Sequence, residues 1–444
     1  MTAFAVLLPA AALLAAATTA TTATAGPAPA PRSDTAPYVV VLKDTTTRAP
    51  TRALAAEAVD AGDEVGAVYE AALNGFAVRT TAARAAALAA DPRVASVEPD
   101  AEFHTTDTPG TIDTPDTPGT IDTTDTPGTT DTPGTTDTPG TIDTPGAPDT
   151  PGTIDTPEAL MQPQAPAPWS LDRIDQRQLP LDGSYTYPTR AEGVTVYVVD
   201  TGINTGHVEF GGRARAGYNA VFLGSSRDCN GHGTHVAATV GGRTYGVAKG
   251  VSLVGVKVAD CRGSAALSAM LKGLDWVVKD AARAPATPAV ANMSIGGTRS
   301  YALDAAVMRG VASGITFTVA AGNDGRNACS GSPASVPQAI TVGATDAEDR
   351  RARFSNHGPC VDLSAPGVGI TSAWKDSPTA TARASGTSMA APHVAGVAAL
   401  VLARGTARTP AQVSRELLRN AVPDRITGLP AGTRNLLLHT PTAR

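Results

Sequence analysis

Apolar and polar positions divide this 444-residue chain into four stretches of different character. In the second, Tyr38-Val39-Val40-Val41-Leu42 and Val65-Gly66-Ala67-Val68-Tyr69 are short apolar runs that predict strands. Asn74-Gly75 signals a turn into Phe76-Ala77-Val78, Thr81 to Ala90 predicts an alanine-rich helix, and Val94 to Asp100 predicts a closing strand. These form a compact α+β unit of some seventy residues, which buries little surface by itself. In the fourth, Val194 to Val199, Val251 to Val258, Ala289 to Ile295, Ile315 to Ala321 and Ala339 to Ala344 are buried-type strands. Helices are predicted at Ala265 to Lys279, Ala302 to Ser313 and after Gly386, and Val236 to Val240 follows a turn of glycines and histidines. Alternating strands and helices predict an α/β fold: a mostly parallel sheet with helices on both faces.

The first and third stretches lack such periodicity. Met1 to Ala25 has an apolar centre, Phe4 to Leu14, and ends Ala23-Thr24-Ala25, as a secretory signal does, although no Lys or Arg precedes the apolar run. Its threonine-rich end argues against a membrane span, which needs roughly 20 apolar residues. Residues 105–165 repeat Asp-Thr-Pro-Gly-Thr with small variations and predict a disordered, solvated linker, since four isoleucines and no aromatic residue cannot build a core. The expected organisation is therefore 1–25 signal, 26–104 small α+β domain, 105–165 linker and 166–444 larger α/β domain.

Charge refines this picture. The repeat holds ten Asp, one Glu and no Lys or Arg, so it contributes −11 to a net −6 and leaves +5 on the remainder. No basic block interleaved with aromatics suggests nucleic acid. The four cysteines, Cys229, Cys261, Cys329 and Cys360, are even in number and favour two disulfides in an exported chain, with three connectivities open.

Candidate chemistry sits at strand ends and helix starts. Asp200 ends a strand, His232 lies between two glycines in Asn230-Gly231-His232-Gly233-Thr234-His235, and Ser388 opens the small-residue helix of Gly386-Thr387-Ser388-Met389-Ala390-Ala391-Pro392, with Pro392 in its first turn. A lone serine there would be read as a helix cap. As a nucleophile it needs an imidazole to take its proton and a carboxylate to hold that imidazole. Asn323, after Ala320-Ala321-Gly322, offers a side-chain amide to an oxyanion.

Asp-Thr-Gly, Gly-His-Gly-Thr-His-Val-Ala and Gly-Thr-Ser-Met-Ala-x-Pro-His-Val-Ala-Gly, in that order, resemble the three catalytic segments of subtilisin-like serine proteases. Asn292-Met293-Ser294-Ile295-Gly296-Gly297 and Trp169 to Arg177 resemble the proteinase K branch, nearest its bacterial aqualysin-like members. Residues 37–104 resemble the inhibitor-type propeptide of these enzymes, an intramolecular chaperone and inhibitor removed by self-cleavage.

The resemblance implies a secreted, monomeric serine endopeptidase of broad specificity acting on protein and peptide substrates through an acyl-enzyme on Ser388. Ser294, Ile295 and Gly296 would form one substrate-pairing edge, and Gly263, Ser264 and Ala265 the other, where the family usually has Gly-Ser-Gly. Ala320, Ala321 and Gly322 would wall an open apolar S1 pocket, and Ala391 replaces a common threonine near the oxyanion. The resemblance further implies disulfides Cys229–Cys261 and Cys329–Cys360. It also implies structural Ca²⁺ at Asp362 with the carbonyls of Pro337 and Ala339, and at Asp172, Asp175, Gln176 and Asp182. No catalytic metal, organic cofactor or stable membrane anchor is expected. A rival reading is a secreted binding protein on an inactive protease fold, with the repeat as its working part. The first self-cleavage is expected either near Phe103-His104-Thr105, leaving an acidic tail of about sixty residues on the mature chain, or near Met161-Gln162.

Overall fold

A computed structural model describes residues 34–43, 49–106, 163–221 and 224–441. The signal-like start and nearly all of the repeat, including the expected cut near Met161-Gln162, lie outside the described residues.

The larger body is built on a nine-stranded sheet. From one edge its strands are Ala214–Asn219, Ser252–Lys257, Thr195–Asp200, Ala289–Met293, Thr316–Ala320, Ile340–Thr345, Leu363–Pro366, Leu436–Leu437 and Val422–Pro423. All neighbouring pairs are parallel except the last. The central strands are buried along their whole length, which explains continuous apolar runs in place of alternation. The chain lays strands on both sides of Thr195–Asp200, so Asp200 stands at the carboxyl end of the strand where the order reverses. One helical face is Thr387–Ala403, which packs with His232–Gly241 on a core of alanines and valines; the other carries Leu267–Ala281 and Tyr301–Ala312.

Within the larger body, four of the predicted elements differ from the sequence expectation. The helix starts at His232, so Val236 to Val240 continues a helix already begun within the histidine-glycine segment. Ala265 belongs to the short strand Ser264–Ala266, and the adjoining helix starts at Leu267. The Ala289–Met293 strand breaks at Ser294 before Ile295–Thr298 joins another sheet. Pro392 is the sixth residue of Thr387–Ala403, inside the helix, where its missing N–H releases the Ser388 carbonyl from the ladder.

The small domain is an antiparallel sheet of Thr35–Leu42, Glu64–Tyr69, Gly75–Thr81 and Val94–Pro99, with helices Ala49–Asp60 and Ala82–Ala89. One face buries Val40, Leu54, Phe76 and Leu88 under those helices. The other sends Val39, Val41, Tyr69 and Leu73 into the same apolar cluster as Leu267, Leu271 and Leu274 of the larger body. A unit too small to be comfortable alone thus completes its burial on its neighbour.

Its carboxylates also cap that neighbour's helices. Glu98 accepts from Ser300 Oγ at 2.7 Å and Ala302 N–H at 2.9 Å, before Tyr301–Ala312. Asp100 accepts from Ser268 N–H and Oγ, both at 2.7 Å, in the first turn of Leu267–Ala281. Both place negative charge where helix amides lack partners.

Candidate active site

Asp200 is fully buried, and its Oδ1 lies 2.7 Å from His232 Nδ1 and accepts the Thr201 N–H at 2.7 Å. Burial pushes this carboxyl above its usual range, while His232 and the Thr201 N–H oppose that shift. The glycines flanking His232 do more than clear its ring. Gly231 has φ of 113° and stands so near Trp374 that a Cβ would come within 2.3 Å of the indole. A Cβ on Gly233 would lie 2.2 Å from the Gly202 carbonyl, so the helix start presses directly on the Asp200-Thr201-Gly202 turn.

Two charged residues outside the sequence reading hold that junction. Asp228 Oδ1 accepts from Thr201 Oγ1, Asn230 N–H and Gly231 N–H at 2.9–3.0 Å, and its Oδ2 accepts from Thr234 N–H at 2.9 Å and Thr234 Oγ1 at 2.6 Å. Lys257, also buried, donates to the Thr201 carbonyl at 2.6 Å. The sequence signal for Lys257 was a charge within an apolar run; Asp228, in the polar stretch Ser225 to Asn230, gave none.

Ser388 is the second residue of Thr387–Ala403, and its Oγ donates to the Ser294 carbonyl at 3.0 Å. The Ser388 carbonyl freed by Pro392 accepts from Ser294 Oγ at 2.9 Å. Ser294 Oγ in turn accepts from Asn292 Nδ2 at 2.9 Å, and Asn292 Oδ1 accepts from Thr318 at 3.0 Å. Ser294→Ala is therefore expected to orphan a buried carbonyl and lower stability by about 1–3 kcal/mol. Chemical denaturation checks this, and an unchanged midpoint would contradict it.

Asn323 follows the Thr316–Ala320 strand. Its Oδ1 accepts from Thr387 N–H at 3.0 Å and Thr387 Oγ1 at 2.8 Å, which turns Nδ2 toward the cleft, where it donates to the Thr106 carbonyl. Asn356 holds this loop: its Nδ2 donates to the Ala321 carbonyl at 2.8 Å, and its Oδ1 accepts from the Asp324 and Arg326 N–H groups at 3.1 and 3.0 Å. Sequence reading missed Asn356 because it acts on a loop more than thirty residues away.

The cleft is filled by the end of the small domain. Glu102–Thr105 is a strand lying antiparallel between Ile295–Thr298 and Ser264–Ala266. Thr105 is opposite Ile295 and His104 opposite Gly296; on the other side Phe103 is opposite Ala265 and His104 opposite Ser264. Thr105 N–H donates to the Gly263 carbonyl at 2.9 Å, and Thr106 N–H to the Ser294 carbonyl at 3.2 Å. Ala320, Ala321, Gly322 and Asn323 line a cavity of about 530 Å³ that Thr105 and Thr106 also border. The six residues expected at the substrate edges thus flank one peptide strand, and the three expected at the S1 wall line the cavity that its last two residues border. Ala391 is buried in the core of its helix.

The disulfides are Cys229–Cys261 and Cys329–Cys360, with Cα separations of 5.0 and 5.4 Å. The first begins beside Asp228, and the Cys261 carbonyl accepts from Asn230 Nδ2 at 3.1 Å, so it braces the segment before His232.

The residues expected at calcium behave differently at the two places. Asp172 Oδ2 accepts the Gly183 N–H at 2.7 Å, Gln176 Oε1 accepts the Asp182 N–H at 3.2 Å, and Asp175 Oδ2 accepts the Thr186 N–H at 2.6 Å. Burial first, then the charges of Asp172 and Asp182, push Asp175 up to about 7. At the other place Asp362 accepts from Thr341 N–H at 3.0 Å and from Arg434 Nη1 at 3.3 Å, so a guanidinium already meets the carboxylate; Ala339, two residues after Pro337, is buried. Among the described residues, no group of three or more His, Cys, Asp or Glu stands ready around a metal position.

Comparison with known proteins agrees with this geometry. Residues 191–439 match the Subtilase family and residues 37–106 match Peptidase inhibitor I9. An extracellular serine proteinase of Thermus sp. (strain Rt41A) is 57% identical over 279 residues, covering 63% of this chain and 67% of that protein. Alkaline serine exoprotease A of Vibrio alginolyticus is 51% identical over 280 residues, covering 63% of this chain and 51% of that protein. The crystal structure of a cold adapted subtilisin-like serine proteinase aligns over 63% of this chain and 100% of its own, with 50% identity and a TM-score of 0.60. With its carboxylate–imidazole pair at the strand switch, its serine at the small-residue helix and an inhibitor-type domain across its cleft, the chain belongs to the subtilase family of serine peptidases.

Proposed function

We propose that the chain is a secreted serine endopeptidase in which Ser388 is the nucleophile, His232 its base and Asp200 the carboxylate that orients the imidazole. The observation that carries the reading is the peptide strand in the cleft, with the Thr106 carbonyl on Asn323 Nδ2 and Thr106 Oγ1 2.5 Å from Ser388 Oγ. A substrate taking that place presents its carbonyl carbon to Ser388. His232 receives the hydroxyl proton as Ser388 adds, then delivers it to the leaving amine; water adds to the resulting ester and releases the acid. Asn323 and the Ser388 N–H hold the oxyanion. Most recognition contacts go to substrate backbone and the S1 wall is alanine and glycine, which supports broad specificity. Residues 37–106 serve as inhibitor and folding partner until cut away.

Asn323→Ala is expected to lower kcat by about 10²–10³, the size known for the same kind of donor in subtilisin itself, with KM nearly unchanged. Steady-state hydrolysis of a chromogenic peptide measures it, and a loss confined to KM would contradict the oxyanion role.

Asp172, Asp175, Gln176 and Asp182 suit Ca²⁺, since crowded carboxylates and an amide oxygen are hard donors. Asp362 is the weaker candidate, because Arg434 shares its charge. With Asp175 raised to about 7, the folded chain holds a proton that the unfolded chain releases. Calcium-free stability is thus lost as pH rises from about 4 through 7, and Ca²⁺ replaces that proton. Adding chelator should therefore lower Tm more at pH 8 than at pH 5. An equal drop at both, or none, would count against the site.

A further inference from the structure

We infer that the chain first cuts itself at the peptide bond following Thr106, so that the mature enzyme starts at Asp107 and keeps the Asp-Thr-Pro-Gly repeat as a polyanionic leader. This rests on the proposed role of Ser388 and adds the bond and its consequence.

Register decides the bond. Phe103 is fully buried, packed so closely on Gly297 that a Cβ there would stand 2.6 Å from its ring. Side chains alternate along a strand, so a slip of one residue would expel Phe103 and bury its polar neighbours instead. Upstream, Glu98 and Asp100 are fastened to two helix starts, which leaves little slack before the strand. With both ends fixed, the Thr106 carbonyl is the one on Asn323 Nδ2, and the Thr106 N–H is the one on the Ser294 carbonyl. Attack by Ser388 Oγ on that carbonyl carbon breaks its bond to the nitrogen of residue 107. The Ser388 proton passes through His232 to that nitrogen, and water then converts the Thr106 ester to a carboxylate, regenerating Ser388.

Close after the alternative bond, Met161-Gln162, the described chain is already bound to the catalytic body. Gln164 is already bridged to Tyr185, with N–H···O distances of 2.9 Å both ways, and its Nε2 donates to the Thr244 carbonyl at 3.0 Å. The chain there is tied to the catalytic body while another segment fills the cleft.

The retained leader changes the enzyme electrostatically. Residues 166–444 hold 28 Lys and Arg against 19 Asp and Glu, a net of +9, whereas the leader adds −11. Cutting after Thr106 gives a mature chain of net −2; cutting near residue 162 leaves one close to +9.

The test follows the full chain during refolding, with samples quenched over time by a serine-directed inhibitor and read by intact mass and N-terminal sequencing. The first new N-terminus is expected to be Asp107 and to persist in the mature enzyme, with the complementary fragment ending at Thr106; later loss of the leader overturns its retention. The first-formed enzyme should pass through a cation exchanger at pH 7. A first N-terminus at residues 162–168, or a fragment ending near 161, overturns the assignment. Thr106→Pro removes the N–H given to Ser294 and should abolish the cut at this bond; unchanged processing there also overturns it. Ser388→Ala separates the two readings: if it is processed as fast as the parent chain, the proposed nucleophile fails, whereas a wild-type cut elsewhere sinks only the bond.

Discussion

Ser388→Ala is expected to leave the chain in one piece, residues 37–106 still covalently joined to the body, and to lower peptide hydrolysis by about six orders of magnitude, the figure for the nucleophile of subtilisin itself. The change is small sterically. Ser388 Oγ makes its hydrogen bonds to the Ser294 carbonyl and Thr106, both at the cleft, so folding should survive its loss. Thermal melting of the purified variant checks that point, and casein hydrolysis measures the loss. Self-cleavage at the parent rate, or substantial casein hydrolysis, by the folded Ser388→Ala chain would remove the nucleophile from the scheme.

The second large effect belongs to Asp200→Asn. Asp200 Oδ1 lies 2.7 Å from His232 Nδ1, and in the proposed scheme the carboxylate accepts the Nδ1 proton and so leaves Nε2 to act as the base. An asparagine amide can donate to Nδ1 instead and favour the other tautomer, whose Nε2 carries a proton and cannot take one. The expected loss is about 10⁴ in kcat near neutral pH, with substrate binding little changed. A fall of less than tenfold would mean that Asp200 supports the loop without orienting the imidazole.

Legibility differed by the kind of physics involved. The parallel strands were readable because burial on both faces writes them as unbroken apolar runs, and Asp200 was readable as the polar residue ending one. The serine segment announced itself through glycine and alanine, which let Thr387–Ala403 pass through the core. The start of the His232 helix was obscured because two glycines, poor helix formers, open it; they are there for close backbone contact with Trp374 and Gly202. The helix Ala49–Asp60 went unread because its apolar face is weakly marked among alanines.

Residues that act across long sequence separations were the hardest to find. Asp228 and Asn356 hold turns through several backbone amides each, and nothing adjacent to either reveals which turns. The strand Glu102–Thr105 is only four residues long and becomes a strand because two cleft edges supply its ladder. Ser294 is similar: its hydroxyl serves a carbonyl released by a proline ninety-eight positions later in the chain. Pro392 looked like a first-turn proline, and its real position shows how the helix spares the Ser388 carbonyl for an outside donor.

The most direct test of the catalytic assignment is covalent labelling of processed enzyme with a fluorophosphonate, mapped by peptide mass spectrometry. A single adduct on Ser388, rising in step with loss of casein hydrolysis and suppressed in the unprocessed chain whose cleft holds residues 102–106, is the result expected here. Complete inactivation with Ser388 unmodified, or an adduct on another residue that tracks the loss, would contradict it.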